Sequence, residues 1–100
     1  PSRKPIFFSD NMTQRFVIRV HGQVQGVGYR WSALTAARRR SLAGFVKNDS
    51  DGTVLIHVQG ETGNLQAFLT WCKQGPPGAS VYSVEENQVA PNDEDGFRIF

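Results

Sequence analysis

The apolar residues of this chain change their period in a fixed order, and that order constrains the fold more than any single residue does. From Gln14 the pattern alternates: Phe16, Ile18 and Val20 stand between Val17, Arg19 and His21, which is the period of a half-buried strand. A glycine-rich break from Gly22 to Gly28 follows, and then a helical stretch from about Tyr29 to Arg40 with Ala33, Leu34, Ala36 and Ala37 on or near its buried side. Ala43 to Asn48 reads as a second strand. Asp49-Ser50-Asp51-Gly52 is a hairpin turn, and Val54, Ile56 and Val58 share one face of a third strand. After Gly60 the spacing of Leu65, Phe68, Leu69 and Cys72 is that of an amphipathic helix, which Gly75-Pro76-Pro77-Gly78 must end. A strand containing Val81 and Val84, an acidic loop at Asp93-Glu94-Asp95, and a short edge strand or tail from Phe97 to Phe100 complete the chain.

The order β-α-β-β-α-β predicts an α+β, ferredoxin-like sandwich: an antiparallel sheet of four to five strands with both helices on one face. In that arrangement the first two strands run parallel, with the third inserted antiparallel between them. The loop after the first strand and the end of the second then meet at one edge, about 10 Å apart. Arg30 and Asn48 occupy those two positions.

One hundred residues allow one core, so an active site must be built from loops on a single scaffold. Residues 1–13 show no clear period and are expected to be a flexible extension, leaving 14–100 as the domain. No apolar run approaches the roughly 20 residues that a bilayer crossing needs, which predicts a soluble protein with no membrane partner. A net charge of +2 does not by itself call for nucleic acid, and the run Arg38-Arg39-Arg40 suits a solvated helix end. The lone Cys72 and the absence of a secretory pattern point to the cytoplasm. Cys72 falls on the apolar side of its helix, as a core residue rather than a nucleophile does. His21 and His57 fall on the outward faces of their strands, and with scattered carboxylates they offer no metal-ligand spacing.

The stretch Gly22-Gln23-Val24-Gln25-Gly26-Val27-Gly28-Tyr29-Arg30 passes from strand to helix, and its glycines let successive N–H groups point inward as an anion-binding nest. The same sequence is also compatible with a plain turn. It lacks the Gly-Lys-Ser/Thr ending of a nucleotide loop, and Trp31 stands where a dinucleotide fingerprint needs its third glycine. A cation at the start of a helix is opposed by the helix dipole, so Arg30 asks for a reason, and a bound anion is one.

The run Val20-x-Gly22-x-Val24-Gln25-Gly26-Val27-Gly28-Tyr29-Arg30, followed by Ala37, Leu42-x-Gly44-Phe45-Val46-Lys47-Asn48 and Asp51-Gly52-x-Val54, resembles the acylphosphatase family. The resemblance runs from about Phe16 to Gly60 and continues more weakly to Phe97-Arg98-Ile99. It implies hydrolysis of acyl phosphates to carboxylate and inorganic phosphate with no cofactor and no metal. It also implies that Arg30 and Asn48 are the catalytic pair, and that the backbone amides of Gln25, Gly26, Val27, Gly28, Tyr29 and Arg30 cradle the phosphate. Inorganic phosphate or sulfate should occupy the same place, and a monomer is expected. Two features depart from the family pattern: Tyr29 replaces the usual Phe, and Arg40-Ser41 stand where an aliphatic residue and a glycine commonly precede Leu42.

Two rival readings share this topology. One is an RNA-binding module, since Ala43-Gly44-Phe45-Val46 faintly resembles the aromatic strand motif of RNA-recognition domains; it requires exposed aromatics on the central strands, where Arg19, His21, Leu55 and His57 face outward instead. The other is a non-catalytic acylphosphatase-like domain.

Overall fold

The computed structural model describes residues 13–100. The elements run β1 (Thr13–Gln23), α1 (Tyr29–Arg39), β2 (Ala43–Asn48), β3 (Val54–Glu61), α2 (Thr62–Gln74), β4 (Ser80–Val89) and β5 (Phe97–Ile99). The extension expected over residues 1–13 lies outside the described residues except for Thr13, the first residue of β1.

The sheet has the order β4-β1-β3-β2-β5. β3 lies between β1 and β2 and runs antiparallel to both, so β1 and β2 point the same way. β4 pairs antiparallel with the other side of β1. The expected antiparallel sheet is present with five strands, and it differs in one pairing: β5 runs parallel to β2, Gly44 opposite Phe97 and Val46 opposite Ile99. A parallel partner needs a long connection, and the chain supplies one through β3, α2, β4 and the loop that returns to the far edge.

Alternation works as the sequence suggests. Ile18 and Val20 on β1, Val46 on β2, and Val54, Ile56 and Val58 on β3 point to the helices and are fully buried. Leu65, Phe68, Leu69 and Cys72 of α2 and Ala33, Leu34, Ala36 and Ala37 of α1 close the core over them. The small residues on α1 let that helix approach β2 and β5 closely.

Tyr29, the first residue of α1, is buried, and its hydroxyl donates to the Cys72 carbonyl at 2.9 Å. Its ring packs against Trp71 with centroids 5.2 Å apart. A buried hydroxyl needs such a partner, which is how the core accommodates tyrosine in place of phenylalanine. The start of α1 is thereby fixed against α2.

The far end of α1 stops in a turn where Leu42 N donates to Ala37 O and Ser41 N to Arg38 O, each at 3.1 Å. Ser41 there has a φ of 55°. That left-handed conformation is the one in which helix ends favour glycine.

The outer face of the sheet is partly roofed. The loop between β4 and β5 lies across it, with Arg15 donating to Glu94 Oε1 and to Gln59 Oε1, both at 2.9 Å. Arg15 is 4% exposed. Gln59 in turn donates to Asn92 O at 2.8 Å and accepts from Asn92 N at 3.0 Å.

Candidate active site

Val24, 1% exposed, anchors the loop between β1 and α1 on one side and Tyr29 anchors it on the other. Between them Gln25, Gly26 and Gly28 are exposed and Val27 is half-buried. Gly26 and Gly28 have φ of 77° and 82°, so the backbone curls at both positions. Gly28 is also the N-cap of α1, which has no side-chain cap and no acidic residue in its first turn. Among the described residues, no backbone amide from Gln25 to Arg30 donates to a protein acceptor. A curled run of free N–H groups on the positive end of a helix attracts an anion.

Arg30 leaves the first turn of α1 toward the sheet edge, where its Nη1 donates to the main-chain oxygen of Phe100 at 2.5 Å. Phe100 N donates to Val46 O at 2.9 Å. Asn48, the last residue of β2, lies two residues beyond Val46. The structure therefore brings Arg30 and the end of β2 to one edge. Asn48 Oδ1 is buried and has no hydrogen-bond partner among the described residues. Buried polar atoms nearly always have partners, so an unpartnered acceptor at this position calls for a functional account.

The turn after Asn48 is held firmly. Arg19 Nη1 donates to Asp49 Oδ2 at 2.8 Å and to Thr53 Oγ1 at 2.7 Å. The Arg19 hydrogen bond and the Ser50 amide hold the Asp49 carboxyl below its ordinary range. The Gln25 side chain, which gave no signal in the sequence beyond its place in the loop, reaches the same turn: Nε2 donates to Asp49 O at 2.8 Å and to Thr53 O at 2.9 Å.

The residues set aside as catalysts stand apart from this edge. Cys72 is buried, and burial pushes its thiol up to about 12, far from a reactive thiolate. His21 pairs with Glu85 at 2.8 Å. His57 stacks on Phe45 with centroids 4.5 Å apart, and burial, followed by the Arg15 charge, lowers its pKa. No group of three His, Cys, Asp or Glu among the described residues is arranged to hold a metal ion.

A depression of about 520 Å³ lies elsewhere, on the helix side between Trp31, Arg39, Trp71 and Pro76. Neither Asn48 nor any residue from Gln25 to Arg30 lines it. At the candidate site the loop residues Gln25, Gly26 and Gly28 are exposed, whereas Asn48 Oδ1 is buried.

The sequence pattern of the acylphosphatase family matches residues 16–99. An acylphosphatase from Synechococcus sp. (strain RCC307) is 43% identical over 86 residues, 86% of this chain and 74% of that protein. The crystal structure of acylphosphatase from Bacillus subtilis superposes with a TM-score of 0.84 at 35% identity, covering 87% of this chain and 98% of that one. The structure of an acylphosphatase from Coxiella burnetii gives 0.88 at 32% identity, covering 92% and 97%. The chain belongs to the acylphosphatase family. Its sheet of five strands and two helices is the ferredoxin-like α+β fold of those structures, and no helix among the described residues is long and apolar enough to cross a membrane.

Proposed function

We propose that this chain hydrolyses the carboxyl–phosphate bond of small acyl phosphates, with Arg30 and Asn48 as the catalytic residues and the amides from Gln25 to Arg30 as the phosphate cradle. The observation that carries the residue assignment is the buried Asn48 Oδ1 at the strand end, which has no hydrogen-bond partner among the described residues. An amide oxygen is no base at neutral pH, but it accepts a hydrogen bond from water and aims the water's lone pair.

The reaction needs little more than positioning and fixed positive charge. Water oxygen bonds to phosphorus, the bond from phosphorus to the acyl oxygen breaks, and the carboxylate leaves with the bonding pair. A carboxylate is a weak base and leaves unprotonated. The proton of the attacking water passes to a phosphoryl oxygen of the substrate. A loose transition state puts charge on the equatorial oxygens, and the Arg30 fork and loop amides are donors of the right geometry for them. Each hydrogen bond to a charged oxygen is worth about 1.5–3 kcal/mol. No step calls on a metal or a cofactor. We also assign a cytoplasmic, monomeric protein whose site accepts inorganic phosphate or sulfate as product or inhibitor, and the separation of residues 14–100 as the working domain.

The test is hydrolysis of benzoyl phosphate by the full chain, in parallel with Arg30→Ala and with a chelator. Turnover that is lost in the variant and unchanged by the chelator is expected. Activity that appears only on adding a divalent metal would overturn the metal-free mechanism, and equal turnover by Arg30→Ala would overturn the residue assignment.

A further inference from the structure

We infer that the side chain of Gln25 is a positioning residue that acts through Asn48: it locks the phosphate loop to the turn that sets where Asn48 points. The inference rests on the hydrolase assignment above and goes beyond it, since the loop was assigned a role only through its backbone.

Two parts of the site come from different places in the chain. The anion cradle is the loop after β1, and Asn48 is the end of β2. In-line attack depends on the distance between them, because the cradle fixes phosphorus and Asn48 fixes the water. Among the described residues, the only hydrogen bonds between the loop at residues 24–28 and the turn at residues 49–53 are those of Gln25. Its Nε2 faces two carbonyl oxygens, Asp49 O at 2.8 Å and Thr53 O at 2.9 Å. Only the amide nitrogen has two hydrogens to give, so the orientation of the amide follows from its partners.

Those two carbonyls are the ends of the turn. Asp49 O also accepts from Gly52 N at 3.2 Å, and Thr53 O from Asp49 N at 2.9 Å. Gln25 thus ties the loop to the closing bonds of the hairpin and not to a mobile side chain. Arg19 secures the same turn from β1 through Asp49 and Thr53. The turn is closed by its own bonds and by Arg19, and Gln25 ties the cradle to it. Val24 and Tyr29, both buried, keep the loop's ends in place without it, so the fold does not depend on this side chain.

The test is a double-mutant cycle on the full chain with benzoyl phosphate as substrate and inorganic phosphate as inhibitor. Gln25→Met keeps the length and loses both donors. It is expected to lower kcat roughly 10- to 50-fold, while the inhibition constant of phosphate stays within about threefold. In an Asn48→Ala background the same change should lower kcat by less than about threefold, because the partner it positions is gone. Gln25→Glu should behave like Gln25→Met at neutral pH, where a carboxylate has nothing to donate, and should recover relative to wild type as the acid is titrated. Three results would overturn the inference: unchanged kcat in Gln25→Met, a full loss in both backgrounds, or phosphate inhibition weakened in step with kcat. If wild type itself leaves benzoyl phosphate intact, the hydrolase assignment fails. If wild type is active and the cycle is additive, the positioning role alone fails.

Discussion

Arg30 Nη1 and the Phe100 main-chain oxygen meet at 2.5 Å, joining the first turn of α1 to the residue that follows β5. The bond uses one of five N–H donors and aims the guanidinium along the edge where β2 ends. An ammonium in its place could hold the Phe100 oxygen or a phosphoryl oxygen, but it could not present a second pair of parallel donors. Arg30→Lys is therefore expected to lower kcat/KM for benzoyl phosphate at least ~100-fold. Steady-state assays of the folded variant check this, and near-normal turnover would count against the mechanism.

Asn48→Ala should reduce kcat about 100-fold while inhibition by inorganic phosphate stays nearly unchanged, because the cradle is intact and only the water loses its guide. Since Asn48 Oδ1 has no partner to lose among the described residues, the variant should unfold within about 1 kcal/mol of wild type in urea. Equal weakening of phosphate inhibition would make Asn48 a binding group instead.

Two backbone positions should respond in opposite directions. Ser41 holds a φ of 55°, and releasing it from the left-handed region outweighs the added freedom of the unfolded chain, so Ser41→Gly should stabilise by ~0.5–1 kcal/mol. Gly44 has a φ of 139°, and a Cβ there would lie 1.8 Å from His57 O, so Gly44→Ala should cost ~3 kcal/mol or more. Urea midpoints with unchanged slopes measure both.

Stability should fall on the acid side of neutrality through His57. Burial first, then Arg15 and Lys47, lower its pKa against the opposing pull of Glu94. The unfolded chain, with an imidazole at about 6.5, takes up a proton before the folded one does. The full folding free energy is therefore present above pH 6.5 and declines as pH falls from there toward the lowered folded value. His57→Gln should remove that decline in urea titrations run at several pH values from 7.5 to 5. A slope that survives the substitution would assign the effect to another group. The lowered carboxyls of Asp49 and Asp51 act only further down, below about pH 3.8.

Much of the architecture was legible because it is local. The alternation of Ile18 and Val20, the Asp51-Gly52 turn and the spacing of Leu65, Phe68, Leu69 and Cys72 each report a period that the backbone enforces. Tyr29 and Ala43–Asn48 fall where the pattern put them. Contacts between distant parts of the chain carried no such signal. Nothing near Arg15 marks it as a residue that a loop 79 positions away will bury. The parallel pairing of Phe97–Ile99 with β2 depends on where the chain returns, and three residues are too few to show a period. The Gln25 side chain is equally silent: glutamine in a glycine-rich loop reads as solvated until the turn at Asp49 is placed beside it.

The parallel strand β5 also matters for how copies of this molecule treat one another. β2 would otherwise present the unpaired main chain of Gly44, Phe45 and Val46 to solvent, an invitation to strand addition by a neighbour. The segment from Gly96 to Phe100 occupies that place, bonded through Gly44 N to Gly96 O and through Phe100 N to Val46 O. The opposite border, β4, is guarded by Glu85 and Glu86, charges that discourage stacking. Peeling away the last few residues would thus have a double penalty, freeing Arg30 from its anchor and baring a sticky border, so colloidal behaviour and turnover in this protein share a single seam.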